Sequence, residues 1–198
     1  EIFNTDYKLL GLGFTDDRPM LLSYWGSLGA KVMNGYTAEL ILRENDLGAP
    51  YRHIHGAGRD FASMTQDLAQ AGMLACPGVE VREYIFDMPL VMAAADLVLC
   101  RSGASTISEL AAIAQPAVLV PSPNVTADHQ TKNAKILSES GGAVLLPESE
   151  CSGEKLYEVV SGLLADEPRR QEMSRSLSRL AVTDANERIY ETLKGLLR

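Results

Sequence analysis

The sequence has few residues of the kind that build disulfide frameworks or zinc sites. Its three cysteines, Cys76, Cys100 and Cys151, lie far apart in the 198-residue chain, and no Cys-x-x-Cys pair occurs. Cys100 ends an apolar run, where a thiol usually behaves as a core residue. We therefore expect neither disulfides nor a metal site.

Long apolar runs and an excess of positive charge are also missing. The best candidate for a membrane span, residues 89–100, is interrupted by Asp96 and falls short of the ~18 apolar residues that a span needs. The net charge of −8 repels polyanions, so we expect no nucleic-acid partner, although a small nucleotide needs only a few local donors. No signal peptide is recognisable. Because the chain begins at Glu1 and not at a methionine, we expect it to be a piece of a longer protein.

What the chain does contain is an alternation of short apolar runs and helical patterns. With 46% apolar and 22% charged residues it has the composition and the length of one globular domain, residues 1–198. The predicted strands are 20–24, 51–55, 79–85, 97–100, 117–120 and 143–146. One helix-sized segment separates each neighbouring pair. This pattern predicts an α/β fold, a doubly wound, Rossmann-like parallel sheet of about six strands with helices on both faces.

The region after Ser152 is helical in pattern, with expected breaks at Pro168 and Thr183. In its last helix Ile189, Leu193 and Leu196 follow an i, i+4, i+7 apolar stripe. This stripe either packs on the domain's own sheet or remains partly exposed for another domain.

Ligands of doubly wound sheets bind at the carboxyl ends of the strands, so the loops there are the candidates for chemistry. The first loop, residues 25–30, reads Trp-Gly-Ser-Leu-Gly-Ala and precedes a helix. Gly26 and Gly29 allow a close approach of the backbone to an anion, and Ser27 adds a hydroxyl donor. The alternative is a plain connection between strand and helix.

The second loop, residues 101–109, begins with small and hydroxyl-bearing residues. Backbone amides in such a segment can face a diphosphate, and Glu109 offers two acceptors for a ribose diol. The competing interpretation is a capping box, Thr106-x-x-Glu109, in which Glu109 closes back on the start of its own helix.

The third loop, residues 121–133, leads into a helix on which Gln130 and Asn133 lie one turn apart. Their side chains can bond the hydroxyls and the N-acetyl group of a sugar. The alternative is a helix start that is capped by Thr126, with His129 exposed.

Two further pairs of residues lie at strand ends. Tyr84 or Ile85 could flank a uracil, with the backbone of Ile85 bonding its edge, but a core role fits these side chains equally well. His53 and His55 lie in or beside a strand and are expected to be packing residues, not ligands.

In their order along the chain, these motifs resemble the MurG family of bacterial GT-B glycosyltransferases, and the resemblance covers nearly the whole sequence. It rests on Gly-Ser-Leu-Gly-Ala at 26–30, Tyr-Ile-x-Asp-Met at 84–88, Arg-Ser-Gly-Ala-Ser-Thr-Ile-Ser-Glu at 101–109, Asp-His-Gln-Thr-Lys-Asn-Ala at 128–134, Ser-Gly-Gly-Ala at 140–143 and Thr-Asp-Ala-Asn-Glu-Arg at 183–188. One departure is Trp25, which stands where the family usually has another glycine.

The resemblance implies the C-terminal, donor-binding half of an inverting enzyme. Such an enzyme moves N-acetylglucosamine from UDP-N-acetylglucosamine to a lipid-linked muramyl-pentapeptide in peptidoglycan synthesis. The implied donor-binding residues are Ser27, Gly29, Ile85, Ala104, Ser105, Thr106, Ile107, Ser108, Glu109 and Gln130, with Gly26, Tyr84, Arg101, Gly103, His129 and Asn133 as further candidates. For Arg101 the alternative is a salt bridge at a strand end.

The family's N-terminal acceptor domain, with its general base, is expected to lie outside this chain, so no catalytic residue is assigned here. We expect no cofactor and no required metal in this half. The full-length enzyme is expected to be cytoplasmic and peripheral on the inner face of the plasma membrane. The final segment of GT-B enzymes crosses to the other domain, which would leave the C-terminal stripe exposed.

Two other classes of function remain open from the sequence. One is a related glycosyltransferase, either a glycolipid-forming enzyme that uses UDP-glucose or UDP-galactose or a natural half-enzyme with a separate acceptor subunit. The other is a noncatalytic nucleotide-sugar sensor or epimerase-like module, because doubly wound sheets support many functions.

Overall fold

The computed structural model describes residues 17–73, 78–182 and 184–196, and strands alternate with helices over most of them. The elements are β1 (Met20–Tyr24), α1 (Lys31–Asp46), β2 (Arg52–Gly56), α2 (Phe61–Gln70), β3 (Val79–Arg82), α3 (Met88–Ala94), β4 (Leu97–Cys100), α4 (Ala104–Ala112), β5 (Ala117–Leu119), α5 (His129–Glu139), β6 (Ala143–Leu145), α6 (Gly153–Ala165), α7 (Glu167–Ser178) and α8 (Ala185–Leu196). Short 3-10 turns precede α2, α5 and α6.

The six strands form one sheet in the order β3-β2-β1-β4-β5-β6, and every neighbouring pair is parallel. From β1 the chain runs outward to β3 and then returns to place β4 on the other side of β1. The strand order therefore reverses between β1 and β4, and their carboxyl ends form the topological switch point at which such sheets bind ligands. The predicted doubly wound fold is confirmed.

Two apolar layers cover the faces of the sheet, because successive side chains of a strand point to opposite faces. Leu22 and Tyr24 of β1 join the layer made with α3, α4, α5 and α7. Leu21 and Trp25 join the layer made with α1 and α6. All residues of β1, β2, β4 and β5 are buried, and β1, β4 and β5 are accordingly largely apolar, whereas β2 carries Arg52 and two histidines.

Some predicted boundaries are wrong, and each has a local cause. β3 ends at Arg82, not at 85, and there the guanidinium bonds Glu80 at 2.8 Å and Asp87 at 3.0 Å as the chain turns away. The predicted break at Pro168 falls at Asp166, whose carboxylate caps α7 through the amide of Arg169, so that the proline lies inside the first turn.

The remaining predictions on chain organisation concern cysteine and membrane segments. Cys100 and Cys151 are free and buried, and burial raises the pKa of the Cys100 thiol to about 12, as expected of an inert core residue. Cys76 and the predicted break at Thr183 lie outside the described residues. In the part of the chain that the structure describes, no helix has both the length and the apolarity to span a bilayer.

Candidate functional site

The first loop joins β1 to α1 and is interlocked with the segment that follows β2. Gly26 and Gly29 have φ values of +84° and +77°, in the left-handed region that favours glycine. A Cβ at Gly29 would lie 2.3 Å from the carbonyl oxygen of Ala57, and one at Gly58 would lie 2.4 Å from the carbonyl carbon of Leu28. Glycine is therefore needed at both crossing points.

Trp25 does not obstruct this loop. Its side chain is 3% exposed and packs into the apolar layer of α1 and α6. The indole N–H donates to Thr37 Oγ1 at 3.0 Å, and the Arg101 guanidinium lies 5.7 Å from the ring centroid on the other side. The family's missing glycine is thus replaced by a core residue, while Gly26 and Ser27 remain exposed.

The observed start of helix α4 contradicts the capping-box interpretation of the second loop. α4 begins at Ala104 with Gly103 as its N-cap, and no side chain caps it. Thr106 therefore lies inside the helix, three residues beyond the N-cap, and the capping box is wrong. Helix α4 starts at the switch point, and its first amides have no partner within the helix, so they are available to a ligand there.

These side chains meet in a cavity of about 340 Å³ at the switch point, which we call the switch-point cavity. The predicted residues that line it are Gly26, Ser27, Tyr84, Ile85, Ser105, Thr106 and Glu109. Three segments that are distant in the sequence, the first loop, the end of β3 and the start of α4, therefore converge as expected. The chain also has larger hollows, of about 580 Å³ beside the third loop and about 560 Å³ at the amino edge of the sheet, but neither lies between β1 and β4.

Several predicted residues do not line the switch-point cavity. Gly29 serves the crossing with Ala57, and Ile107 packs against the core. Ser108 is exposed and its hydroxyl donates to the carbonyl of Ala104 at 3.0 Å. Gly103 and Ala104 form the start of the helix, where their backbone and not their side chains would meet a ligand.

The predicted sugar-binding residues connect the third loop to the second loop through hydrogen bonds. Gln130 accepts a hydrogen bond from the Ser122 amide at 2.9 Å, and Asn133 donates to the carbonyl of Ser102 at 3.0 Å. The Ser102 hydroxyl donates to the carbonyl of Gln130 at 2.8 Å. Gln130 and Asn133 thus fix the position of α5 beside α4, and neither lines the switch-point cavity.

The start of α5 also differs from the predicted cap. Thr126 begins a 3-10 turn, and the helix itself begins at His129 without a side-chain cap. Ala127 and Asp128 have φ values of +55° and +50°, a strained pair for residues other than glycine. His129 is exposed as predicted, and its Nδ1 lies 2.9 Å from the carbonyl oxygen of Thr126.

Arg101 holds the strand ends together. Its guanidinium donates to the carbonyls of Val120 at 3.1 Å and Pro121 at 3.2 Å, and it forms an ion pair with Glu148. The salt bridge considered for this position is therefore present, and it fixes the exit of β5 against the turn after β6.

Behind the first loop lies a fully buried chain of hydrogen bonds that links α1, β1 and β2. It runs from Glu44 to His53 Nδ1 (2.9 Å), from His53 Nε2 to Ser23 Oγ (2.6 Å), and from Ser23 Oγ to His55 Nδ1 (2.7 Å). His55 Nε2 then lies 3.2 Å from Asn34 Oδ1. The two histidines are buried, as expected, but they are hydrogen-bonded polar groups and not apolar packing residues.

Asn34 connects this chain of hydrogen bonds, which we call the buried relay, to the segment after β2. Its amide nitrogen donates to the carbonyl of Ala57 and to Asp60, both at 2.8 Å. Since Nδ2 has two acceptors, Oδ1 must face His55, and His55 Nε2 must carry a hydrogen. Burial lowers the pKa of His55 to about 3, so this ring is neutral at physiological pH.

Five residues that line the switch-point cavity were not assigned from the sequence. They are Tyr24, Gly56, Gly58, Glu83 and Met88. Tyr24 and Gly56 are the last residues of β1 and β2, so the rule that ligands bind at carboxyl ends could have identified them. Glu83 was hidden inside the predicted strand 79–85, whereas Met88 belongs to the Tyr-Ile-x-Asp-Met motif and could have been found from it. Across the described residues, no group of three or more His, Cys, Asp or Glu side chains could hold a metal ion.

Comparison with known proteins shows that the chain is similar to glycosyltransferases. The model of the glycosyltransferase family 28 C-terminal domain matches residues 24–189. The chain is 39% identical over 188 residues to a UDP-N-acetylglucosamine–N-acetylmuramyl-(pentapeptide) pyrophosphoryl-undecaprenol N-acetylglucosamine transferase of Acetivibrio thermocellus, covering 94% of the chain and 50% of that protein. It is 33% identical to the protein of that name in Bacillus subtilis, covering 97% and 52%.

Solved structures extend the likeness to three dimensions. The crystal structure of Acinetobacter baumannii MurG matches with a TM-score of 0.78 and 28% identity, over 96% of this chain and 52% of that one. A structure of Staphylococcus aureus MnaA with UDP matches with a TM-score of 0.68 at 17% identity, which shows the shared fold alone. The chain spans about half the length of the curated relatives that it matches. It belongs to the family of glycosyltransferase family 28 C-terminal domains.

Proposed function

We propose that this chain is the donor-binding half of a MurG-type glycosyltransferase and that the switch-point cavity receives the nucleotide of UDP-N-acetylglucosamine. The observation that carries this proposal is the convergence of Ser27, Ile85, Thr106 and Glu109 on one cavity at the carboxyl ends of β1 and β4. The relatives at 33% and 39% identity, which are named as N-acetylglucosamine transferases, support the same assignment.

Each part of the nucleotide has a matching group in the cavity. Ile85 is buried against Gly56 and presents its backbone to the uracil edge, and Tyr84 is half-exposed at the rim. Glu109 accepts from the ribose hydroxyls. The diphosphate lies at the start of α4, near Ser27 and Thr106. None of the described side chains that line the cavity is a lysine or arginine, so helix amides and hydroxyls meet the phosphate charge there.

The reaction follows from this division of groups. A base in the acceptor domain removes the proton from the acceptor sugar's hydroxyl, the oxygen attacks the anomeric carbon, and the bond to UDP breaks with inversion. This half stabilises the negative charge that develops on the leaving diphosphate. We propose that no metal or other cofactor held by this half takes part, and that the longer enzyme works on a lipid-linked muramyl-pentapeptide at the cytoplasmic face of the plasma membrane.

Calorimetric titration with a panel of donors tests this proposal. We expect the 198-residue chain to bind UDP and UDP-N-acetylglucosamine, with the same affinity in EDTA, and to bind UDP-glucose, UDP-galactose and dTDP less tightly. The chain alone should transfer no sugar to the lipid-linked acceptor, because the reactants need both halves to be positioned. Preference for another hexose would assign a different donor, and turnover by the chain alone would contradict the division into halves.

A further inference from the structure

Among the described side chains that line the switch-point cavity, Tyr24 is the one with a buried polar atom that has no hydrogen-bond partner. It is the last residue of β1, it is 9% exposed, and its hydroxyl is buried with no hydrogen-bond partner. Within the described residues, the only other buried side-chain atom of this kind is Glu148 Oε2, which is ion-paired with Arg101. Tyr24 is thus the exception to the rule that buried polar groups are paired.

The surroundings of the hydroxyl show what kind of partner is missing. Burial, together with the nearby Cys100 thiol and Glu109, raises the pKa of Tyr24 above its usual range, so the phenol is a neutral donor. The Thr106 hydroxyl and the Cys100 thiol also lie beside it, but neither forms a hydrogen bond of acceptable geometry with it. An unpaired buried hydroxyl is destabilising, and a ligand that supplies an acceptor would remove this cost.

The position of Tyr24 indicates which part of the ligand lies above it. Tyr24 lies between Ile85, which is assigned to uracil, and Thr106 and Glu109, which are assigned to the diphosphate and ribose. The ribose connects these two parts of the nucleotide. A ribose hydroxyl can accept from the phenol while it donates its own hydrogen to the Glu109 carboxylate. Tyr24 and Glu109 therefore offer complementary partners to the same group.

We propose that Tyr24 is a further donor-site residue, whose hydroxyl donates to a ribose hydroxyl of the bound nucleotide beside Glu109. This inference rests on the proposed function. It assigns to Tyr24 a part in the recognition of the ribose, so the cavity should discriminate against nucleotides that lack the hydroxyl in question.

The test is calorimetric titration of UDP, 2′-deoxy-UDP and 3′-deoxy-UDP into the unaltered chain and into Tyr24→Phe, with melting curves of both without ligand. We expect Tyr24→Phe to bind UDP about fivefold more weakly. One of the two deoxy nucleotides should bind both proteins equally, because it lacks the acceptor. The melting temperature without ligand should be unchanged or higher, since the hydroxyl that is removed has no partner in the empty cavity.

Tyr51→Phe is the matched control. The Tyr51 hydroxyl is buried and donates to Glu44 at 2.9 Å, so its removal should lower the melting temperature and leave UDP affinity unchanged. Unchanged UDP affinity in Tyr24→Phe, or an equal loss for all three nucleotides, would overturn the inference. A chain that binds no UDP at all would contradict the proposed function and this inference together, whereas binding that Tyr24→Phe leaves intact would contradict this inference alone.

Discussion

Glu109 shows how the start of one helix decides what a side chain is used for. Had α4 begun at residue 107, the carboxylate would have closed a capping box. Because the helix begins at Ala104 with Gly103 as its N-cap, Glu109 lies in the second turn of the helix, too far from the N-cap to bond its amide, and lines the switch-point cavity. Its carboxylate is consequently available to the ribose.

We predict that Glu109→Gln weakens UDP binding at least about fivefold, because a neutral amide accepts less strongly than a carboxylate from ribose hydroxyls. Its melting temperature should stay unchanged, and Glu109→Ala should lose more affinity. Calorimetry and melting curves measure both quantities. Glu139→Gln, an exposed change at the end of α5, should alter neither. An unaltered affinity in Glu109→Gln would remove Glu109 from the site.

Substitutions at Gly26 and Gly29 separate two costs of adding a side chain: a strained backbone conformation and a collision with neighbouring atoms. Both have left-handed φ, so alanine costs roughly 1 kcal/mol or more of stability at either position. Only at Gly29 does the new Cβ also collide with Ala57, while nothing lies within 4 Å at Gly26. Gly29→Ala should therefore have the lower denaturation midpoint in urea. Equal midpoints for the two variants would show that the interlocked loops separate easily.

At the scale of elements, the buried relay ties β1, β2 and α1 together with a fixed direction of hydrogen bonds. Asn34 requires a hydrogen on His55 Nε2, so His55 Nδ1 accepts from the Ser23 hydroxyl. Ser23 must then accept from His53 Nε2, while His53 Nδ1 faces Glu44. One proton is thus shared by His53 and Glu44, and the pair is neutral overall.

Nitrogen-15 NMR can read this arrangement directly, because the chain has three histidines. We predict that His55 is the neutral Nε2–H tautomer and stays so when the pH is lowered to 5, since burial lowers its pKa to about 3. His53 should carry a hydrogen on Nε2, together with a hydrogen on Nδ1 or one that Nδ1 shares with the Glu44 carboxylate. His129, which is exposed, provides the third histidine signal for comparison. A neutral His55 with its hydrogen on Nδ1 would contradict the assigned direction.

The sequence predicted the sheet well but could not reveal this relay. Buried parallel strands are short apolar runs, so β1 and β4 were predicted at their observed bounds. β3 was placed too long because the apolar residues at 84–86 continue its pattern beyond the point where Arg82 turns the chain. Ser23, His53 and Glu44 belong to three elements, and the strand register together with the packing of α1 brings them together.

At the scale of the whole molecule, helix α8 presents an apolar stripe that the described part of the domain does not cover. Ile189, Leu193 and Leu196 of α8 are 58%, 55% and 78% exposed, so the alternative in which the stripe packs on its own sheet is wrong. An exposed stripe of this kind is typical of a segment that contacts another domain or chain.

Leu193→Lys should consequently leave the melting temperature of this chain nearly unchanged, because exposed substitutions alter stability by only about 0.5 kcal/mol. Leu156→Lys is the contrasting variant: Leu156 is fully buried in α6, and a charge there should unfold the domain. A drop in melting temperature for Leu193→Lys that approaches that of Leu156→Lys would show that α8 packs on this domain after all.

The central claim is that the switch point between β1 and β4 is a nucleotide site, and a crystal structure of the chain with UDP tests it most directly. We predict that the uracil lies at the backbone of Ile85, the ribose lies between Tyr24 and Glu109, and the diphosphate lies at the start of α4 near Ser27. UDP bound in the larger hollow beside the third loop, with the switch-point cavity empty, would contradict the account.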